Sequence, residues 1–344
     1  MARVQQISTA VATSDMVPTE VLFGVTEELK RIRRTVDRVT GVRVPVLIRG
    51  ESGTGKEVLA NYIHARGPWA EMPFVKVSCA AIPGSLLESE LFGFEKGAFT
   101  GAVNNRQGKF EMADGGTMLL DEIADIDANL QAKLLQVLQD GRFSRIGDLE
   151  ERRANVRIVC ITNREIENEI EKESFREDLF YRINVVNVQM PALRHRAEDL
   201  PGLVDYFLKL YGEKFGRKVA PLSSAVIEKF RKHTWPGNIR ELENYLKRYV
   251  ILESADTILG ELEERSRGPV NGGMQLPPVT DFSLKRYSKI ASQQAEHYLI
   301  LEALKNTRWN RKRAAELLGI SYRALLYKIK ENGLPQKKRA TPVT

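Results

Sequence analysis

The sequence predicts an α/β protein: a doubly wound parallel sheet, a small helical subdomain after it, and a separate all-α helix-turn-helix unit near the C-terminus. Three observations carry this expectation. Five short, apolar, β-rich runs alternate with helical patterns between residues 44 and 191. The first run leads directly into a glycine-rich loop and then a helix. A basic stretch at 310–330 reads as two helices across a glycine.

The five runs are 44–50, 73–80, 117–123, 156–163 and 184–191, with helical patterns at 56–66, 128–140 and 176–183 among them. Apolar runs without strict alternation, separated by helices, mark strands covered on both faces. After residue 197 the strands stop, and 200–215, 223–232 and 238–252 read as helices. The stretch 265–281 then collects three glycines and three prolines with little apolar content, the composition of a linker. The expected organisation is a short tail at 1–20, an α/β core at 21–196, a helical subdomain at 197–262, a linker at 263–281, a helix-turn-helix domain at 282–335 and a basic tail at 336–344.

With 42% hydrophobic and 28% charged residues in 344, the composition is that of an ordinary globular protein. Neither a long apolar span nor a basic start followed by an apolar run is present, so a cytoplasmic protein is expected. Cys79 and Cys160 lie inside apolar runs, which fits reduced, buried thiols. His64, His195, His233 and His297 show no metal-ligand spacing. The net charge of +7 is unevenly placed: 281–344 holds 14 Lys+Arg against 5 Asp+Glu, and the rest of the chain 38 against 40. A basic end on a near-neutral body suggests a nucleic-acid-binding module, the alternative being a merely solvated basic tail.

The first run enters Gly50, Glu51, Ser52, Gly53, Thr54, Gly55, Lys56 and Glu57. Glycines let backbone N–H groups converge on phosphate oxygens, the helix N-terminus adds partial positive charge, and Lys56 is suited to the outer phosphates. A bound nucleotide, ATP, is expected. Glu57 stands where the general pattern has a hydroxyl ligand for Mg²⁺, so the metal needs a carboxylate from elsewhere. Asp121 and Glu122 close an apolar strand and supply candidates, Asp121 to organise Mg²⁺ with phosphates and water, Glu122 to polarise the attacking water. The alternative for such a pair is a helix N-terminal charge pair.

Between these halves lies Gly97, Ala98, Phe99, Thr100, Gly101 and Ala102. Its small residues leave one aromatic ring and one hydroxyl standing alone at a loop tip, either pinned into a neighbouring groove or offered to a partner.

The segments 50–57, 97–102, 115–122, 175–182 (Phe-Arg-Glu-Asp-Leu-Phe-Tyr-Arg) and 235–244 (Trp-Pro-Gly-Asn-Ile-Arg-Glu-Leu-Glu-Asn) together resemble the motif series of bacterial enhancer-binding proteins, the AAA+ activators of sigma-54 RNA polymerase. The resemblance runs from about residue 22 to 255. It implies an AAA+ P-loop fold with a helical lid. It also implies that Asn163 is sensor I, Arg176 and Arg182 are arginine fingers acting on a neighbouring subunit, and Arg240 is sensor II on a lid helix. Fingers acting in trans imply a homo-oligomeric, hexameric ring; the alternative for each arginine is a salt bridge with Glu177 or Asp178. The hexapeptide 97–102 would contact the sigma factor. Two positions depart from the family's frequent residues: Ser78 replaces an Asn thought to restrain the catalytic Glu, implying a weaker or water-mediated hold on Glu122, and Phe94 replaces a His.

In the 310–330 stretch, Ala314, Leu317, Leu318, Ile320, Leu325, Leu326 and Ile329 are expected to form the shared contact, with Ser321 as N-cap of the second helix. The motif resembles the Fis-type domain of the same proteins. Ser321, Tyr322, Arg323 and Lys328 are expected to read base edges of double-stranded upstream DNA, and Arg311, Lys312 and Arg313 to meet phosphates. An apolar stripe over 282–306 suits either dimerisation or packing on its own helix-turn-helix, and Trp309 suits the core.

The leading function is a DNA-binding activator that uses ATP hydrolysis in a ring to remodel the closed complex of sigma-54 RNA polymerase holoenzyme. The alternatives are a regulator acting on another sigma factor and a DNA-processing AAA+ ATPase. Some twenty residues ahead of the core are too few for a sensor domain, so control is expected from a regulatory protein in trans, from expression level or from a domain not in this sequence.

Overall fold

The computed structural model describes residues 17–253, 299–300, 303–304, 307 and 310–331. The expected linker at 263–281, Trp309, His297, the basic tail, most of the tail at 1–20 and most of the stripe over 282–306 lie outside them. The chain divides into two units, 1–260 and 261–344.

The core of the first unit is a five-stranded parallel sheet of β1 (Val46–Arg49), β2 (Phe74–Ser78), β3 (Thr117–Asp121), β4 (Arg157–Thr162) and β5 (Val186–Gln189), in the order β2-β3-β4-β1-β5. All five expected strands form. The third ends at Asp121, two residues before its anticipated end, because Glu122 takes a left-handed conformation with φ 55° and stops it.

The absence of strict alternation has a direct cause. On β1, Val46 and Ile48 join a core with α1 (Thr19–Phe23), α2 (Glu27–Val39) and α3 (Lys56–Ala65), while Leu47 joins the opposite core. That second core is closed by α4 (Gly84–Phe92), α5 (Lys109–Met112), α6 (Ala128–Asp140), α7 (Ile166–Glu171) and α8 (Glu177–Ile183). Val46, Leu47 and Ile48 are all fully buried, each contributing on the order of 1.5–3 kcal/mol. Cys79 and Cys160 are buried free thiols, and burial pushes the Cys79 thiol up to about 12.

The helical subdomain consists of α9 (Leu200–Phe215), α10 (Ser224–Lys232) and α11 (Asn238–Leu252). Trp235 is fully buried among Phe230 and Tyr245 and donates from Nε1 to Phe230 O at 2.8 Å.

In the second unit α12 (Arg311–Leu317) and α13 (Tyr322–Glu331) meet across Gly319, whose φ of 64° makes the turn. The Asn310 side chain caps α12, and Ser321 Oγ accepts the Ala324 N–H at 3.1 Å, as its expected N-cap role requires. Their contact is Ala314, Ala315, Leu325 and Ile329 with Ile300, Ala303 and Leu304. Leu317, expected in this contact, is 63% exposed. With Ala314, Ala315 and Leu318 facing the core, position 317 falls roughly 110° away at about 100° per residue.

Candidate nucleotide site and output surfaces

The carboxyl ends of β1, β3 and β4 carry the glycine-rich loop, Asp121 with Glu122, and Asn163; β4 lies between the other two, so the three chemistries share one edge of the sheet. Beneath α11 this edge opens into a cavity of about 360 Å³. Its polar wall is 52–57 with Asp121, Glu122 and Arg240; its apolar wall includes Val21, Leu22, Leu203, Phe207 and Leu210. One end suits phosphates and the other a planar base.

Lys56 is buried, and its Nζ donates to Gly50 O at 2.7 Å and Glu51 O at 3.1 Å. Burial lowers its pKa, opposed by the nearby Glu122 and Asp121 carboxylates. The loop is fixed from beneath by Thr54 Oγ1 donating to Glu51 O at 2.8 Å and by the buried Arg196 donating to Thr54 O at 3.0 Å.

The helical subdomain is tied to this loop residue by residue. Ile239 N–H donates to Gly53 O at 3.0 Å, and a Cβ at Gly53 would stand 2.3 Å from Gly237 O, so only glycine admits the approach. Asn238 is fully buried at φ 52°, and its Nδ2 donates to Glu51 Oε2 and Ser52 O at 3.1 and 3.0 Å. Arg240 donates to Ser52 Oγ at 2.8 Å. Arg194 forks onto both oxygens of Glu51. The Arg194 and Asn238 hydrogen bonds hold the Glu51 carboxyl down to about 2.

Glu122 sits in its left-handed conformation with Oε2 accepting the backbone N–H of Asn163 at 3.0 Å. A non-glycine residue held there at this edge stores strain of the kind found at functional sites. That hydrogen bond ties Glu122 to the residue that follows β4. Asp121 has Lys76 Nζ 3.6 Å from Oδ2, and the same ammonium pairs with Glu57 at 2.7 Å. Asp121 and Glu122 are hard oxygen donors, and among the described residues no group of three or more His, Cys, Asp or Glu side chains converges. The donor set suits Mg²⁺ shared with phosphates and water rather than a cage made wholly of protein.

Arg176 and Arg182 do not line the cavity of their own chain. Arg176 forks onto Asp178 at 3.0 and 2.6 Å, the pairing named as its alternative. Arg182 donates to the carbonyls of Leu138 and Gln139 at the end of α6 and lines a separate cavity of about 300 Å³.

In the loop 97–102, Thr100 and Gly101 are exposed and Ala102 is buried. Phe99 does not stand alone: its ring packs edge-on against Phe94 with centroids 4.9 Å apart. On the second unit Lys312, Arg313, Tyr322 and Arg323 are exposed, whereas Arg311 and Lys328 are half-buried and the Ser321 hydroxyl is engaged as a cap.

Sequence reasoning missed three partners of the site and one exposed aromatic. Arg194 and Asn238 grip Glu51 from more than 140 positions away. Lys76 was legible as the lone charge inside an apolar strand. Tyr327, 69% exposed four residues after Arg323 on one face of α13, was legible from helical spacing.

Residues 22–189 match the sigma-54 interaction domain family, 194–265 the AAA+ ATPase lid domain family, and 293–331 the Fis family of bacterial regulatory proteins. The Nif-specific regulatory protein of Azotobacter vinelandii is 43% identical over 318 residues, covering 92% of this chain and 60% of that protein. The transcriptional regulatory protein FlbD of Caulobacter vibrioides is 42% identical, covering 94% of this chain and 72% of its own length. The crystal structure of NtrX from Brucella abortus in complex with ADP superposes with a TM-score of 0.72 at 33% identity, over 91% of this chain and 69% of that one. A structure of the same protein with ATP gives 0.69. This chain thus spans less than two thirds of the Azotobacter regulator. Glycine-rich loop, exposed hexapeptide, docked lid and helix-turn-helix follow one another in that order, and with these matches the chain belongs to the sigma-54 interaction family of AAA+ nucleotide-binding transcriptional regulators with a Fis-type DNA-binding domain.

Proposed function

We propose that this chain hydrolyses ATP and uses the cycle to activate transcription by sigma-54 RNA polymerase from DNA sites held by its C-terminal unit. The observation that carries the reading is the cavity in which Lys56, Asp121, Glu122 and Arg240 face an apolar slot under the lid. Lys56 leaves the carbonyls of Gly50 and Glu51 for the outer phosphates, and Arg240 contributes a second positive charge from the lid. Asp121 would hold Mg²⁺ together with phosphate oxygens and water, and the ion would supply charge neutralisation at the phosphates. Glu122, aligned by the Asn163 N–H, accepts a proton from the attacking water.

Arg176 and Arg182 act on the site of a neighbouring subunit in a ring. What supports this is that neither reaches the cavity of its own chain, while a guanidinium keeps its charge wherever it is placed. Hydrolysis per subunit then rises with protein concentration across the assembly range, and a flat rate counts against it. Phe99 and Thr100 meet the sigma factor, and Lys312, Arg313, Tyr322 and Arg323 meet double-stranded DNA. No helix among the described residues is long and apolar enough to cross a membrane, in keeping with work on DNA in the cytoplasm.

The decisive assay is open-complex formation on a sigma-54 promoter with purified polymerase, ATP and this protein. Thr100→Ala is expected to abolish open complexes while hydrolysis continues. Activation by that variant at the wild-type level overturns the assignment of the loop.

A further inference from the structure

We infer that Phe94 is a positioning residue that parks Phe99, so that the exposed loop must break an aromatic pair before its ring can enter a partner. The inference rests on the reading above, in which Phe99 and Thr100 meet the sigma factor.

The two rings sit on supports of different stiffness. Phe94 lies in a two-residue strand, 93–94, paired antiparallel with 106–107. A second tie comes from 142–153, whose Ile146 donates its N–H to Gly93 O and accepts that of Glu95, both at 3.0 Å. Phe94 is thus fixed on both sides. Phe99 stands between Gly97 at φ 87° and Gly101 at φ 111°, and neither glycine has any neighbour within 4 Å of an added Cβ. The segment can swing about two open glycines while the ring beneath stays in place.

In its present position the loop closes on itself, with Gly97 N–H on Ala102 O at 2.9 Å and Ala102 N–H on Phe99 O at 3.0 Å. Ala98 lies against Gly147, where a Cβ would come within 2.7 Å. The Phe99 ring meets Phe94 at 4.9 Å and 63°, yet remains 44% exposed. An anchor that fills a partner's groove buries its whole ring, so the face now on Phe94 has to be released first. A residue at 94 without a ring removes that contact and leaves the hinges free.

The test uses the full chain with Phe94→Leu, which keeps apolar bulk without a ring, and Phe94→Tyr, which keeps the ring. Amide hydrogen exchange over 97–102 and capture of purified sigma-54 without nucleotide are measured beside ATP hydrolysis. For Phe94→Leu, exchange and capture are expected to rise roughly three- to tenfold, the factor carried by one aromatic pair, with hydrolysis within about twofold of wild type. Phe94→Tyr is expected to return both to wild-type values. Wild-type exchange and capture in Phe94→Leu overturn the inference. Phe99→Ala separates the two layers: undiminished sigma-54 capture by it sinks the contact reading, while exchange in Phe94→Leu still decides whether Phe94 parks the loop.

Discussion

The phosphate loop and the hexapeptide loop are both short and glycine-rich, yet the fold treats them in opposite ways. In the first, Gly53 is pressed against the Gly237 carbonyl, Lys56 is buried, and Glu51, Ser52 and Gly53 are all hydrogen-bonded to the lid. In the second, Gly97 and Gly101 face open space, and the Phe99 ring rests on Phe94 while remaining 44% exposed. Glycine serves close approach in one loop and rotation in the other. The proposed function calls for this division, with a preorganised end for phosphates and a released end for a partner.

The largest expected effect falls on the rigid end. Lys56→Ala removes the one buried ammonium among the loop's donors, and phosphate release should fall at least about 100-fold, the scale of losing one preorganised charge contact. Hydrolysis above a tenth of wild type would show that the loop acts without it. Next in size is Gly53→Ala, which forces a Cβ into the Gly237 carbonyl at φ 79°. It should cost about 3 kcal/mol in thermal or denaturant unfolding of the first unit.

Gly101→Ala is the matched substitution in the hexapeptide loop, with φ 111° but no neighbour to strike. Its cost should stay near 1 kcal/mol, from backbone strain alone. Equal losses in the two glycine variants would erase the distinction between the loops.

The smallest effect concerns acid. The hydrogen bonds from Arg194 and Asn238 depress the Glu51 carboxyl to about 2, so the carboxylate's contribution to lid docking is fully present above its unfolded pKa of about 4.5. It is lost as pH falls through about 2. Exposed ion pairs contribute under about 1 kcal/mol, so the readout must be local. Protection of the 237–241 amides, taken relative to their intrinsic exchange rate at each pH, should fall with falling pH in the wild type, and less so in Glu51→Gln. Identical pH profiles in the two proteins would remove Glu51 from the tie.

Much of this architecture is legible along the chain because it rests on local rules. Strands buried on both faces show as continuous apolar runs, a phosphate cradle needs glycines at set spacing before a helix, and Ser321 follows Gly319 where a second helix needs its cap. Spacing failed where one residue off a helical stripe decided burial, as with Leu317, and where a backbone conformation ended a strand early, as at Glu122.

Linear order and local chemistry were enough for the five strands, the nucleotide-loop residues, the acidic pair and the two-helix basic module, since each is built from neighbours in sequence. The strand order, the Asn163 N–H on Glu122, the Asn238 and Arg194 grip on Glu51, and Phe94 beneath Phe99 belong to the folded chain alone. The first three join residues 41 to 187 positions apart or arrange whole strands, and no periodicity encodes which distant groups will meet. The last joins near neighbours but depends on which way two glycines turn, a choice left open by any residue without a side chain and made by packing.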